Sequence, residues 1–436
     1  MGDEEAVVAV GNYILLIGIA CIVGILTKWL THIPYTIALV VVGLVLAFIP
    51  PELIGISVQK TFSKDIVFFV LLPPLLFQGA IHLQLDRLKR HTLMVGVLAT
   101  VGVLITTLII GQLSYSFGIF DSMKIAFLFG ALICTTDPVS VLSIFRQAGV
   151  SPNLKYMVEG ESLFNDGTGV VIFLIVLGTL SPESGTFSIP FAFLEFLKVG
   201  LGGAGIGLII GVITYQILKR LTDHLLENTI CLVSCYGSFW LAEHVFHLSG
   251  VIAVVTVGLL IGNYGRKMAM SPKTTMTIET FFESLDFIIN SLLFILIGLE
   301  LQAIDRQLFI DNWSIILLAI AIVLIGRLIV YPLYFILRPY GGKDSSGQRL
   351  AYPPSWSHIL FWGGLRGSIP IALLLGLKGQ LPTKYYDFLL VVGFAIVCFS
   401  LIVQGLTIKP LIRVLGLSAD KEELSNDLAH PQDGLT

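Results

Sequence analysis

Thirteen apolar segments, separated by short polar connections, constrain this 436-residue chain more than any other feature. A helix needs roughly 20 apolar residues to cross the hydrocarbon core of a bilayer, so about a dozen crossings use nearly the whole length. The segments run from Ala6 to Leu26, Pro34 to Ile49, Ile66 to Ile81, Leu93 to Phe117, Ile125 to Phe145, Tyr156 to Leu180 and Ile189 to Leu218. They continue from Leu225 to Phe246, Val251 to Tyr264, Ile278 to Leu301, Trp313 to Leu337, Ser355 to Leu377 and Tyr386 to Leu415. Apolar residues make up 55% of the chain and charged ones 13%, against roughly 25% charged in soluble domains. The lipid bilayer is therefore its solvent. A formal charge of -3 and scattered basic clusters exclude a nucleic-acid partner.

The start, Met1 to Ala6, is acidic and lacks the positive region of a signal peptide, so the first apolar run is expected to remain as a span. Five cysteines sit inside apolar runs and form neither a disulfide framework nor a metal pattern. No cofactor is expected.

Orientation follows from Lys and Arg, which resist translocation. One set of alternating connections holds Lys28, Arg87, Lys89, Arg90, Arg146, Lys155, Lys219, Arg220, Arg266, Lys267, Lys273, Arg338, Lys343, Arg349 and Arg413; the other holds Lys60, Lys64, Lys124, Arg306, Lys378 and Lys384. This predicts an N-terminus outside and a cytoplasmic C-terminus, hence a multi-pass protein of the cell membrane.

The pattern also divides the chain. Residues 1–181 would form a first six-helix repeat, 182–224 a linking helix, 225–417 a second repeat, and 418–436 a short cytoplasmic tail. An offset of seven spans makes the repeats enter the membrane in opposite directions, an inverted topology. Helix five is interrupted at Thr135-Thr136-Asp137-Pro138 and helix twelve at Gly363-Gly364-Leu365-Arg366-Gly367-Ser368. Interruptions in matching positions of two halves point to a transporter's binding site.

Asp166 and Asp137 fall at one depth near mid-membrane, where a carboxylate costs at least about 2.5 kcal/mol and faces a wet cavity or a partner. Pro138 removes a helical donor and disfavours helical geometry at Asp137, so carbonyls before it are freed for a cation, with Thr136 adding oxygen. Ser162 and Asp166 lie four apart on one helical face. Burial favours the protonated carboxyl and a bound cation the ionised one, so sodium and a proton compete at Asp166. Arg327, mid-helix, requires a partner, and Glu161 or Asp166 could supply it. Arg366 would offset half-helix dipoles or pair with an acid. Glu279, Glu283 and Asp286 read as N-terminal charge on helix ten rather than as an acidic funnel.

Leu72-Pro73-Pro74-Leu75-Leu76-Phe77, Thr136-Asp137-Pro138-Val139, Gly160-Glu161-Ser162-Leu163-Phe164-Asn165-Asp166, Gly326-Arg327 and Gly363-Gly364-Leu365-Arg366-Gly367 resemble, in order and spacing, the cation:proton antiporter-1 family of NhaP/NHE-type sodium/proton antiporters. The resemblance implies an all-α NhaA/NhaP-like fold and a homodimer whose core, helices four to six and eleven to thirteen, moves as an elevator. It implies that Asp166 carries sodium or a proton, Asn165 orients the site, Thr136, Asp137 and Ser162 complete coordination, and Glu161 pairs with Arg327. Sodium would sit at Asp166, Ser162 and Thr136. The Asn165-Asp166 pair resembles the electroneutral branch, implying one proton per sodium. The short tail fits a prokaryotic source. Many relatives carry Glu where this chain has Gln78, which cannot titrate but can offer an oxygen.

The expected function is secondary transport in sodium and pH homeostasis, not enzymatic catalysis, exchanging sodium, lithium or potassium for protons. The alternatives are a cation channel and an intramembrane aspartyl protease using Asp137 and Asp166, although its Gly-x-Gly-Asp signature is missing.

Overall fold

Hydrocarbon offers backbone N–H and C=O groups no partners, so each segment must satisfy them internally as helix. The computed structural model describes residues 2–29, 34–49, 66–180, 189–302, 304, 306–342, 349–350 and 352–417. The expected tail, and Lys60, Lys64 and Lys343, lie outside the described residues.

The helices, counting broken ones once, are α1 (Gly2–Trp29), α2 (Tyr35–Ala47), α3 (Ile66–His82), α4 (Leu85–Ser116), α5a (Met123–Ile133) with α5b (Pro138–Ala148), α6 (Pro152–Gly178) and α7 (Ile189–Leu218). They continue as α8 (His224–Val245), α9 (Gly250–Met268), α10 (Pro272–Leu299), α11 (Trp313–Tyr340), α12a (Ser355–Trp362) with α12b (Ser368–Gly376), and α13 (Thr383–Val414), with a short unnumbered helix, Arg306–Asp311, between α10 and α11. By length and composition, 10 of the described helices can cross a membrane, while Tyr35–Ala47 and Ile66–His82 are shorter apolar helices. The protein is thus an all-α, multi-pass membrane protein. α10 begins at Pro272, capped by Ser271 Oγ accepting the Thr274 N–H. Glu279, Glu283 and Asp286 therefore lie beyond its first turn, and their reading as N-terminal charge is corrected.

Packing sorts the helices into two groups. α2 lies along α10, and α9 packs on α3, α7 and α8. At the α2–α10 crossing Gly43 faces Gly298, where a Cβ on either would collide with the other helix's backbone. Small residues give helices this close approach in lipid. In the second group α4 packs on α5a, α6 and α11, and α13 packs on α5b, α12a and α12b. α6 joins the groups, touching α3, α7 and α9 as well as α4 and both halves of α5.

The interruptions have local causes. Pro138 opens α5b, with Asp137 Oδ1 accepting the Val139 N–H at 2.8 Å as an N-cap. Helical geometry in α11 lapses after Arg327, where Pro332 cannot donate and its ring crowds the carbonyl four residues back.

Candidate ion-binding site

The two broken helices meet at their breaks. The Asp137 N–H donates to the Leu365 carbonyl at 2.7 Å, and a Cβ on Gly367 would run into the Asp137 side chain. Arg366 is 2% exposed and donates through Nη1 to the carbonyls of Cys134 (2.7 Å) and Thr135 (2.9 Å) at the C-terminal end of α5a. The carbonyls expected to be free for a cation are thus taken by a guanidinium. Among the described residues Arg366 forms no ion pair, so of its two expected roles it fills the helix-end one.

α6 crosses behind this junction and supplies the acids. Glu161 accepts two bonds from Arg327, Nη1 to Oε1 at 2.9 Å and Nη2 to Oε2 at 3.0 Å, with both side chains buried. Arg327 Nη2 also donates to the Leu360 carbonyl at 3.1 Å. The pair is bidentate and shielded from water, the strong form of such contacts. Asn165 faces the α5 break: its Oδ1 accepts the Thr136 N–H (3.0 Å), and its Nδ2 donates to Thr136 Oγ1 (2.7 Å) and Glu161 Oε1 (3.1 Å). Ser162 Oγ lies 3.1 Å from Thr136 Oγ1.

Asp166, near the middle of α6, is 7% exposed, and its carboxylate makes no hydrogen bond or ion pair with a described residue. A cavity of about 430 Å³ reaches it, also lined by Thr136, Asp137 and Gln78. The same cavity extends past His82, Lys155, Glu283 and Asp286, whereas Glu279 lies outside it and pairs with Arg266 at 2.8 Å. Gln78 Oε1 is buried without a hydrogen-bond partner. A carboxylate, two hydroxyls and an amide oxygen in or next to this cavity form a hard-oxygen donor set suited to a small cation.

A profile of the family described as "Sodium/hydrogen exchanger, transmembrane" matches residues 17–414. The chain belongs to the sodium/hydrogen exchanger family. The exchanger is 36% identical over 428 residues to the Na(+)/H(+) antiporter ApNhaP of Aphanothece halophytica, covering 97% of this chain and 78% of that one. It is 39% identical over 412 residues to the Na(+)/H(+) antiporter NhaH of Halobacillus aidingensis, covering 93% and 97%. The solved sodium proton antiporter MjNhaP1 of Methanocaldococcus jannaschii at pH 8 superposes with a TM-score of 0.76 at 22% identity, covering 94% of this chain and 100% of that one. That likeness establishes the exchanger's fold as NhaP-like.

The sequence motifs converge in space: Thr136, Asp137, Glu161, Ser162, Asn165, Asp166, Arg327 and Arg366 surround one junction. Residues of α13 are the part that sequence reading missed. Ser400 Oγ accepts the Arg366 N–H at 2.8 Å and donates to Gln404 Oε1 at 2.7 Å. Two polar residues four apart in an apolar span were the available signal.

Proposed function

We propose that this exchanger moves sodium, with lithium or potassium as further candidates, against protons at a single carboxylate, Asp166. The observation that carries this reading is the contrast along α6: Glu161 is neutralised by Arg327, whereas Asp166 is buried, unpaired and reached by the cavity. Within the membrane such a group requires a partner, and a cation or a proton supplies it.

Thr136, Asp137, Ser162 and Asn165 complete the site. Asn165 keeps the α5 break against α6, Ser162 and Thr136 offer oxygens, and Asp137 holds the N-terminus of α5b beside the cavity. Sodium and a proton exclude one another at Asp166, and only loaded states cross. One charge out for one charge in makes the cycle electroneutral. Gln78 serves as a neutral oxygen facing the same cavity. The Glu161–Arg327 pair and Arg366 hold the breaks in register.

The chain spans the membrane thirteen times as two inverted six-helix repeats, with the N-terminus outside and the cavity open to the cytoplasm. The group formed by α4–α6 and α11–α13 moves against the remaining helices as an elevator in each subunit of a homodimer. The partition of helix packing supports a moving group and a scaffold.

The test is exchange by the purified protein in liposomes holding a pH-sensitive dye, under an imposed acidic lumen with and without a potassium/valinomycin clamp. Sodium-triggered alkalinisation that survives the clamp and is lost in Asp166→Asn is expected. Voltage-dependent exchange would overturn the 1:1 ratio, and full exchange by Asp166→Asn would overturn the site.

A further inference from the structure

The unwound segment 363–367 is pressed between the two charged parts of the site. A Cβ on Gly364 would meet the Arg327 guanidinium, and one on Gly367 would meet Asp137. An interruption of this kind leaves helix-end carbonyls and N–H groups without intrahelical partners, and in a buried setting something must hold them. Two side chains of α13 do so. Gln404 Nε2 donates to the carbonyl of Trp362, the last residue of α12a, at 3.3 Å. Ser400 Oγ accepts the N–H of Arg366, just before α12b, at 2.8 Å. Ser400 then donates to Gln404 Oε1 at 2.7 Å, tying the two clamps together. Ser400 is 1% exposed and Gln404 4%, so water cannot replace either.

The two residues bound a π-helical turn, Ser400–Gln404, inside α13. Four other π-helical segments occur among the described residues, so it is the bonds it carries across to the α12 break that single this turn out. From this turn a continuous relay runs to the cation site. Ser400 fixes the backbone at Arg366, whose side chain grips the α5a carbonyls of Cys134 and Thr135. The neighbouring Leu365 carbonyl accepts the Asp137 N–H, and Thr136 lies between these anchored points.

We infer that Ser400 and Gln404 are positioning residues for the exchange: from the π-helical turn of α13 they hold the α12 break, and through Arg366 and Leu365 they set where Thr136 and Asp137 stand relative to Asp166. The inference rests on the cation site at Asp166 proposed above. Loss of the clamp relaxes the α5 break and weakens sodium binding, while Asp166 itself is untouched. The hydroxyl at position 400 matters because it must both accept and donate.

The experiment compares parental protein with Ser400→Ala, Ser400→Thr and Ser400→Cys. Thr407→Ala is the control, since Thr407 Oγ1 accepts from Trp362 Nε1 on the exposed side of the same α12a–α13 contact. Two readouts are taken: the sodium KM of exchange in liposomes, and the sodium concentration giving half-maximal thermal stabilisation in detergent. Removing a group directly behind a ligand weakens ion affinity by roughly 10–100-fold; Ser400 acts through Arg366, further back, so the low end of that range, about tenfold, is expected. Ser400→Ala is expected to raise both values by that factor, Ser400→Thr to restore them, and Thr407→Ala to leave them unchanged. A folded Ser400→Ala with parental sodium dependence, or one with a lower melting temperature alone, would overturn the inference. If Ser400→Ala does not fold, Ser400→Cys decides, because its weak donor and acceptor raise both values less but measurably, and parental values would overturn the inference. If parental protein shows sodium-dependent stabilisation without exchange, the transport reading fails and the clamp is judged on the binding readout alone.

Discussion

Arg327 holds both oxygens of Glu161, at 2.9 and 3.0 Å, while Asp166, five residues further along α6, has no such partner. One acid of the motif is therefore neutralised by a buried guanidinium, and the other faces the cavity. The pair bridges α6 and α11, and Arg327 also holds the Leu360 carbonyl of α12a, so its loss affects folding before it affects ion chemistry.

Breaking a buried ion pair by removing one partner leaves an uncompensated charge and costs about 3–5 kcal/mol. Glu161→Met and Arg327→Met are each expected to lower the melting temperature in detergent strongly. The double replacement by Met is expected to recover much of the loss, giving a large coupling in a double-mutant cycle. Additive losses would show that the two side chains do not depend on each other.

Gly367 is the place where α12 can approach Asp137. In Gly367→Ala the added methyl group meets the Asp137 side chain, an overpacking worth about 1–3 kcal/mol. Exchange in liposomes is expected to fall at least tenfold while the protein remains monodisperse. Parental rates would mean that the break has more room than its contacts indicate.

Glu283 is exposed at the entrance of the cavity that leads to Asp166. With Cys21 replaced by Ser, Glu283→Cys is expected to react with an impermeant thiol reagent from the cytoplasmic face, and Lys384→Cys from the outer face. The reverse pattern would invert the proposed orientation.

Asp121 lies in the connection between α4 and α5a, where a hydrogen bond from the Tyr385 hydroxyl, aided by Lys384, holds its carboxyl below the usual range. A depressed folded value adds stability above the unfolded pKa of about 3.9, and that stability is lost as pH falls through the folded value. The group is fully exposed, so the effect is small. Melting temperatures of parental protein and Asp121→Asn are expected to differ slightly at pH 7 and to converge as the pH falls through the depressed folded value. A gap that widens on acidification would reverse the assigned sign.

Much of the site was legible because its residues violate the rules of their surroundings. Asp166, Asp137, Glu161, Arg327 and Arg366 are charges in apolar runs, and Pro138 and the glycines of 363–367 are breakers in helices. The apolar pattern starts α10 at Ile278 and so gives Glu279, Glu283 and Asp286 an N-terminal place that the helix, starting at Pro272, does not. The polar run Pro272-Lys273-Thr274-Thr275 hid its first turns, although Ser271 caps them. The partners of Arg366 were illegible, since backbone carbonyls leave no mark on a sequence.

By itself the sequence determined a multi-pass helical membrane protein, the two interruptions and the acids within the spans, because hydrocarbon penalises an unpaired polar group regardless of how helices are arranged. Only the tertiary structure decided which of those groups satisfy one another: Arg327 with Glu161, Arg366 with the end of α5a, Ser400 and Gln404 with the two ends of the α12 break. Those pairings join residues far apart in the chain, and hydrogen bonds a few ångströms long depend on helix packing that spacing along a single helix does not encode.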